Sequence, residues 1–384
     1  MKTKVFLVGG PDIDARLDLM RRLQDKFELS AVGSNPNLYD LFDKNGSNYY
    51  YYSFAQHINP LNDLIAIIKL INIFREEKPA LVHTFGTKPC ALARIAAGLA
   101  NVPIIIGTIT GLGMLYRKDG FKYAIIRFFY EILQKIASHF SDLTIFQNKD
   151  DRKKFISRGI VRAEKTEIIP GSGILTDKFN LSRFNAIERN QIREELSISQ
   201  DSFVVTMVAR IIRAKGVLDF CDTANALKEE GKFIFLLVGS EDEGKLDKLS
   251  PKEIEYIRNS VIWLKKRKDI DHILASSDLF AYPTNYGEGL PRALIEAGSM
   301  ELPLVATDLP GCRAIIDGGV NGILIPPNNS AYLVQAIRCI AASKTMRQNF
   351  GEISRAKAIS TFDIKHIIKK TEEVYMDLLE NSLK

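Results

Sequence analysis

Short apolar runs recur along this chain, and each is followed by a stretch with helical spacing. In the first half KVFLVGG, ALVHTFG, VPIIIGT and DLTIFQN read as buried strands, and ALARIAAGLA and KDDRKKFISRGI carry helical periodicity. Strands alternating with helices imply βα units and a parallel sheet, because parallel neighbours need a crossover long enough to hold a helix. The pattern breaks at EIIPGSGILTDKF, where Pro170, Gly171 and Gly173 interrupt it, and a polar helical stretch follows at 185–197. The alternation then restarts with SFVVTMVAR, KFIFLLVGS, VIWLKK, DLFAYP and LPLVATD, and GILIPP is a candidate sixth strand. The last segment, DIKHIIKKTEEVYMDLLE, reads as an amphipathic helix. The fold class expected is α/β, with two Rossmann-like doubly wound domains at 1–178 and 179–362 and a final helix at 363–384. Ligands of open parallel sheets sit at the carboxyl ends of strands, so two such sheets facing each other would leave a cleft for one.

The length of 384 residues leaves room for two cores. Hydrophobic residues are 46% and charged residues 26%, ordinary for a water-soluble globular chain. No apolar run is long enough to span a bilayer, and the start MKTKVFLVGGPDIDARLDL is too briefly apolar and too soon acidic for a signal peptide. Cys90, Cys221, Cys312 and Cys339 lack metal-site or disulfide spacing and suit a reduced, cytoplasmic setting. Residues 1–180 hold 25 Lys and Arg against 18 Asp and Glu, whereas the remainder holds 27 against 28. The cationic excess therefore lies in the first half. It suits a phosphate, a nucleic acid or an acidic membrane surface, or is a solvated face with no partner.

The sharpest constellation is AYPTNYGEGLPRALIEAGSMELPLVATD. A strand ends at Pro283, a turn-rich loop presents Glu288 between glycines, and Pro291 suits the first turn of a helix carrying Glu296. Eight helical residues would separate the two carboxylates by about 12 Å. A hydrolase pair needs about 5–9.5 Å, so this spacing suits two carboxylates that grip hydroxyl-bearing rings of one extended ligand. The Gly289 and Leu290 N–H groups, at a helix start, would face phosphate. In VVTMVARIIRAKGVLDF, Arg210 follows a strand and Lys215 precedes a helix; together they would offset the charge of a leaving diphosphate. Each feature also has a plain reading as solvated surface charge.

Weaker signals lie in the first half. Gly9 and Gly10 end the first strand, where a glycine turn admits a ligand close to the backbone. His83 ends another strand and is followed by Thr84, Gly86 and Lys88; a lone histidine is as readily structural as functional. The stretch GLGMLYRKDGFKYAIIRFFYEILQKI interleaves Arg117, Lys118, Lys122 and Arg127 with Tyr116, Phe121, Tyr123, Phe128, Phe129 and Tyr130. Such a helix either lies on a membrane surface or turns an aromatic stripe to the core with a charged outer face.

The E-x7-E of Glu288 and Glu296, with the R-x4-K of Arg210 and Lys215, resembles retaining glycosyltransferases of family 4, which have the GT-B fold. The resemblance covers nearly the whole chain, through LVHTFGTKP, ITGLG, DLTIFQNKDDRKKF, IIPGSGI, VARIIRAKG, LLVGSEDE, YGEGLPRALIEA and ATDLPGCR. GTKP, TGLG, IFQN and PGSG are similar to a subgroup that extends polyprenyl-diphosphate-linked sugars in bacterial O-antigen, capsule or glycan assembly.

The resemblance implies roles. Glu288 would contact the donor sugar, Glu296 the ribose, and Arg210 and Lys215 the diphosphate. Gly289, Leu290 and Pro291 would form the phosphate-facing loop. Gly9, Gly10, Gly239 and the main chain near Arg267 would also line the donor. His83, Lys88, Thr110, Gly111, Tyr116, Arg117 and Lys118 would serve the acceptor, and the final helix would cross back to the first domain. The implied partners are a UDP-sugar, a polyprenyl-diphosphate sugar and the inner face of the cell membrane, where the protein would be peripheral, with no nucleic acid. No metal ion is implied, and the DID sequences at 12–14 and 269–271 lie where no metal-binding DxD is expected. Thr110 departs from the family, many members of which have His at this place. Threonine is no general base near neutral pH, which favours a mechanism in which the leaving diphosphate takes the acceptor proton. The same architecture also serves sugar-nucleotide epimerases and non-catalytic nucleotide-sugar-binding proteins.

Overall fold

The computed structural model describes residues 2–54, 59–241 and 247–382. Contacts divide the chain into two units. The first holds Met1–Gly173, Glu288–Leu290 and Ile364–Lys384; the second holds Ile174–Gly287 and Pro291–Asp363. The first cut thus falls a few residues before the 178 read from sequence.

The first unit is built on seven strands: β1 (Thr3–Val8), β2 (Phe27–Gly33), β3 (Asn48–Tyr51), β4 (Leu81–Phe85), β5 (Ile104–Ile109), β6 (Leu143–Phe146) and β7 (Thr166–Ile168). They pair in parallel in the order β3-β2-β1-β4-β5-β6-β7. β1, β4, β5 and β6 match the apolar runs, whereas β2, β3 and β7 were not among them. The helices are α1 (Leu17–Leu23), α2 (Tyr39–Asp43), α3 (Pro60–Glu77), α4 (Lys88–Leu99), α5 (Phe121–His139) and α6 (Lys149–Ser157). Asn59 starts α3, its side chain accepting the Asn62 N–H ahead of a run that opens on Pro60. α4 packs between α3 and α5. Phe6, Val8, Leu70, Phe74, Val82 and Ile105 form the core beneath α3 and α4.

The second unit has the parallel order β10-β9-β8-β11-β12-β13, from β8 (Phe203–Val208), β9 (Phe233–Val238), β10 (Ile262–Trp263), β11 (Leu279–Tyr282), β12 (Leu304–Thr307) and β13 (Gly322–Ile325). All six correspond to runs read from sequence. Its helices are α7 (Ala186–Glu195), α8 (Val217–Leu227), α9 (Pro251–Ser260), α10 (Ile270–Ala275), α11 (Arg292–Ser299), α12 (Pro310–Arg313), α13 (Ser330–Ala342) and α14 (Lys344–Lys357). Asn185 with Glu188 and Ser250 with Glu253 form reciprocal capping boxes at α7 and α9. Met207, Leu237, Ala281 and Val305 on the strands pack with Phe220, Ile257, Leu333 and Ile337 on the helices.

The final helix α15 (Ile364–Ser382) belongs to the first unit, where it packs on α1 and β5. Its buried Tyr375 meets Phe27 edge-on and reaches His83.

Candidate functional site

In the second unit the loops leaving β8 and β11 are stitched together. The strands are parallel neighbours, with Leu279 opposite Val205 and Phe280 opposite Thr206, so their carboxyl ends emerge side by side. The Asn285 N–H donates to the Ala214 carbonyl at 2.7 Å. Gly216 has φ of +74°, and a Cβ there would stand 1.8 Å from the Pro283 carbonyl oxygen, so only glycine fits. Within this joint Lys215 is 6% exposed. Its ammonium donates to the Tyr282 phenol oxygen at 3.0 Å and lies 5.6 Å from the Tyr282 ring centre and 5.1 Å from that of Tyr286. Arg210, just past β8, is exposed. The two predicted cations are thus held differently, one caged and one at the surface.

Gly239, at the end of β9, has φ of +153° and lies against the Ala209 carbonyl; a Cβ there would be 1.8 Å from that oxygen. Its N–H donates to the Lys265 carbonyl at 2.8 Å, and its own carbonyl accepts from the Trp263 indole at 2.8 Å. The ends of β9 and β10 are thereby fixed. The acidic residues of LLVGSEDE at 242 and 243 lie outside the described residues. Arg267 is paired with Asp269, which holds that carboxyl at about 2, below its ordinary range.

α11 begins at Arg292, with Pro291 just before it. Glu288 therefore lies outside the helix, and the helical rise assumed from sequence does not set its separation from Glu296. Burial raises the Glu296 carboxyl, which accepts from Arg292 at 2.8 Å one turn earlier. The segment Glu288–Leu290 groups with the first unit. There the Gly289 N–H donates to the Thr110 carbonyl at 3.0 Å, and its carbonyl accepts from the Asn148 side chain at 2.9 Å. In this structure a backbone carbonyl thus takes the Gly289 N–H that the sequence reading aimed at phosphate. A Cβ at this glycine would stand 2.4 Å from the Gln147 side-chain oxygen.

Sequence reasoning passed over Asn148 and Asp151. Asn148 caps α6 by accepting the Asp151 N–H at 2.8 Å, and its amide donates to the Asp151 carboxylate at 2.9 Å. Burial pushes the Asp151 carboxyl up to about 6. Tyr282 and Tyr286 were missed as well.

The other predicted residues of the first unit divide into two groups. His83 is buried inside β4; its Nδ1 meets the Tyr375 hydroxyl and its Nε2 the Thr108 hydroxyl, each at 2.6 Å. Burial, helped by nearby Arg16, lowers this imidazole from 6.5 to about 3. Both ring nitrogens serve the protein, which favours the structural of the two readings. Gly9 and Gly10 are also buried: the Tyr52 hydroxyl donates to the Gly9 carbonyl at 2.8 Å, and the Ser34 N–H donates to the Gly10 carbonyl at 3.3 Å. Lys88, the first residue of α4, is paired with Asp63 at 2.6 Å. Thr110 and Gly111 follow β5, Gly111 with φ of +122°. Tyr116 donates to Glu131 at 2.8 Å, and the Lys154 ammonium lies over its ring at 4.6 Å. The Arg117 and Lys118 N–H groups share the Met114 carbonyl, at 3.0 and 3.1 Å. Lys118 reaches over the Tyr123 ring.

α5 overturns the reading of a core-facing aromatic stripe. Phe121, Phe128 and Phe129 are 82%, 61% and 63% exposed, and Ile125, Ile132 and Ile136 share their exposed face. The buried face carries Gln134 and Ala137. Under it Arg94 is buried, bonding Gln134, the Ser141 and Thr144 hydroxyls at 3.3 Å and the Cys90 carbonyl. The first turns of α3 likewise expose Leu61, Leu64, Ile65 and Ile68. In a parallel sheet these crossover helices run against the strands, so the first turns of α3 and the Phe121 end of α5 lie toward the carboxyl edge of the first sheet. Among the described residues no helix is long and apolar enough to cross a membrane.

Comparison with known proteins agrees with this architecture. Residues 21–148 match the family model "Glycosyl transferase 4-like", and residues 188–357 match "Glycosyl transferases group 1". The chain is 26% identical over 368 residues to an Escherichia coli UDP-Gal:alpha-D-GlcNAc-diphosphoundecaprenol alpha-1,3-galactosyltransferase, covering 95% of this chain and 92% of that protein. It is 25% identical over 332 residues to a Campylobacter jejuni N,N'-diacetylbacillosaminyl-diphospho-undecaprenol alpha-1,3-N-acetylgalactosaminyltransferase, covering 86% of each. The solved Anabaena Alr3699/HepE, in complex with UDP, superposes with a TM-score of 0.79 at 20% identity, over 98% of this chain and all of that one. The chain therefore belongs to the glycosyltransferases that join a family-4-like domain to a group 1 domain, with the GT-B fold.

Proposed function

We propose that this glycosyltransferase moves a hexose or N-acetylhexosamine from a UDP-sugar to a polyprenyl-diphosphate-linked sugar, with retention of anomeric configuration, in bacterial surface polysaccharide or glycan assembly. The observation that carries this is similarity along nearly the whole chain to a transferase named for a UDP-sugar donor and a diphosphoundecaprenol acceptor. The caged Lys215 supports it, since a fixed ammonium at the carboxyl end of a sheet suits a diphosphate.

In this reading Arg210 and Lys215 offset the diphosphate charge, Glu288 binds the donor sugar and Glu296 the ribose. Gly239 and the main chain near Arg267 line the nucleotide, with Leu290 and Pro291 in the loop before α11. Thr110, Gly111, Tyr116, Arg117 and Lys118 serve the acceptor. The bond from the sugar's anomeric carbon to the diphosphate oxygen breaks, and the acceptor oxygen bonds to that carbon on the same face. The acceptor's proton passes to the departing diphosphate oxygen, so no side chain at 110 is needed as base. Thr110→Val is then expected to keep turnover; total loss with normal donor binding would remove this mechanism. Turnover is expected to survive EDTA, since the cations do the work of a metal; loss restored by a divalent ion would overturn that.

The protein acts at the inner membrane face, meeting the bilayer through the exposed apolar faces of α5 and α3. The test uses a panel of nucleotide sugars with membrane extract containing polyprenyl-diphosphate sugars, and Glu288→Ala as control. UDP release from one donor that depends on lipid and is lost in the variant is the expected result. Binding of UDP-sugars without consumption would contradict the transfer reading.

A further inference from the structure

The cage around Lys215 has a consequence for which side chains set the grip on the donor. A lysine is a flexible point charge, and its usefulness against a diphosphate depends on where its ammonium is held. Here the backbone is fixed on both sides, by the Lys215 N–H donating to Ile212 at 3.1 Å and by glycine at 216 lying against Pro283. The side chain then runs to Tyr282, the last residue of β11, which is 2% exposed and stacks on Phe280 with ring centres 6.2 Å apart. The phenol oxygen takes one N–H of the ammonium at 3.0 Å, and the Tyr286 ring centre lies 5.1 Å from it on another side. Tyr282 is rigid because its strand is central and its ring is packed, and through its hydroxyl it fixes one N–H of Lys215.

We propose that Tyr282 is a positioning residue for the donor diphosphate: its hydroxyl, held in place by the packed ring, aims the Lys215 ammonium, with the Tyr286 ring closing another side. The inference rests on the donor-site reading above. Tyr282 acts through Lys215, so its effect is confined to ligands that carry the diphosphate.

The test measures binding of UDP, GDP, uridine and guanosine by calorimetry to the full chain and to Tyr282→Phe, Tyr282→Leu and Lys215→Ala. The diphosphate that the parent protein binds more tightly is compared with its own nucleoside. Tyr282→Phe is expected to weaken the diphosphate roughly tenfold, the scale of a hydrogen bond to a charged group, and to leave the nucleoside unchanged. Tyr282→Leu, which removes the hydroxyl together with the ring, is expected to weaken it at least as much. If Lys215→Ala loses the preference for diphosphate over nucleoside while both Tyr282 variants keep it, the inference is overturned and the donor site stands. Equal loss of diphosphate and nucleoside in Tyr282→Phe assigns the tyrosine a structural role and overturns the inference too. If the parent binds neither diphosphate, or Lys215→Ala binds it unchanged, the donor-site reading itself falls, and the inference with it. Thermal unfolding shows which variants are folded; should Tyr282→Leu fail, Tyr282→Phe decides.

Discussion

α5 in the first unit and α13 in the second are both amphipathic helices beside a parallel sheet, yet they are turned opposite ways. α13 buries Leu333, Val334, Ile337 and Ile340 and leaves Gln335 and Arg338 outside. α5 exposes three phenylalanines and three isoleucines and buries Gln134 over Arg94. Apolar burial drives folding, so a helix that forgoes it on its greasiest face is shaped by something other than the stability of its own domain. A bilayer surface is an apolar partner that suits such a face. Under α5 lie Arg94 and Gln134 in a hydrogen-bonded network, and the cluster under α13 is aliphatic and aromatic.

The contrast can be broken at several points. Leu333→Ala in α13 is expected to cost about 2–5 kcal/mol of folding stability, as for other large-to-small core changes; denaturant unfolding measures it. A cost near zero would mean that α13 is not the core helix described.

Next comes acid. The folded His83 imidazole is held near 3, whereas an unfolded one titrates near 6.5. Between those values the unfolded chain binds the extra proton, so stability falls as pH drops through that window, by up to about 1.4 kcal/mol per pH unit. Above 6.5 the group contributes no slope. Hydrogen exchange of β4 and β5 amides between pH 6.5 and 4 is expected to accelerate beyond its intrinsic pH dependence. The excess should shrink in His83→Gln, and an identical profile in both proteins would reject the account of a buried neutral histidine.

On the outer face, Phe128→Ser with Phe129→Ser is expected to lower partitioning onto anionic vesicles at least tenfold, given about 1.5–3 kcal/mol per fully buried phenylalanine side chain. Folding stability should shift by no more than about 0.5 kcal/mol, as is usual at exposed positions. A large stability loss with unchanged partitioning would restore a core role for the stripe. Neutralising Arg117, Lys118 and Lys122 should weaken vesicle binding a few-fold per charge, since a cation near an anionic surface is worth about 1 kcal/mol. That effect should fade in high salt.

The same contrast explains what was legible in the residues. Strands buried on both faces, such as KVFLVGG and DLFAYP, announce themselves as continuous apolar runs. β2 carries Glu28 and Ser30, and β3 and β7 are short edge strands, so none gives such a run. The spacing of Phe121, Ile125, Phe128, Ile132 and Ile136 declares a helix face but not the side to which it turns. That is settled by Arg94 and Gln134, 40 residues apart in sequence. The R-x4-K spacing pointed to Lys215, whereas its tyrosine partner lies 67 residues away on another strand and read only as strand. His83 was read as ending its strand, whereas it lies in the middle of β4, whose five residues are all buried.

The most direct test of the whole account is made on the lipid product. The protein is incubated with each UDP-sugar and vesicles bearing a polyprenyl-diphosphate sugar, and the lipid is then analysed by mass and by NMR of the new anomeric centre. The account predicts a lipid heavier by one hexose or N-acetylhexosamine, joined in the configuration the donor carried. Release of free sugar with the lipid unchanged, or a product of inverted configuration, would contradict it.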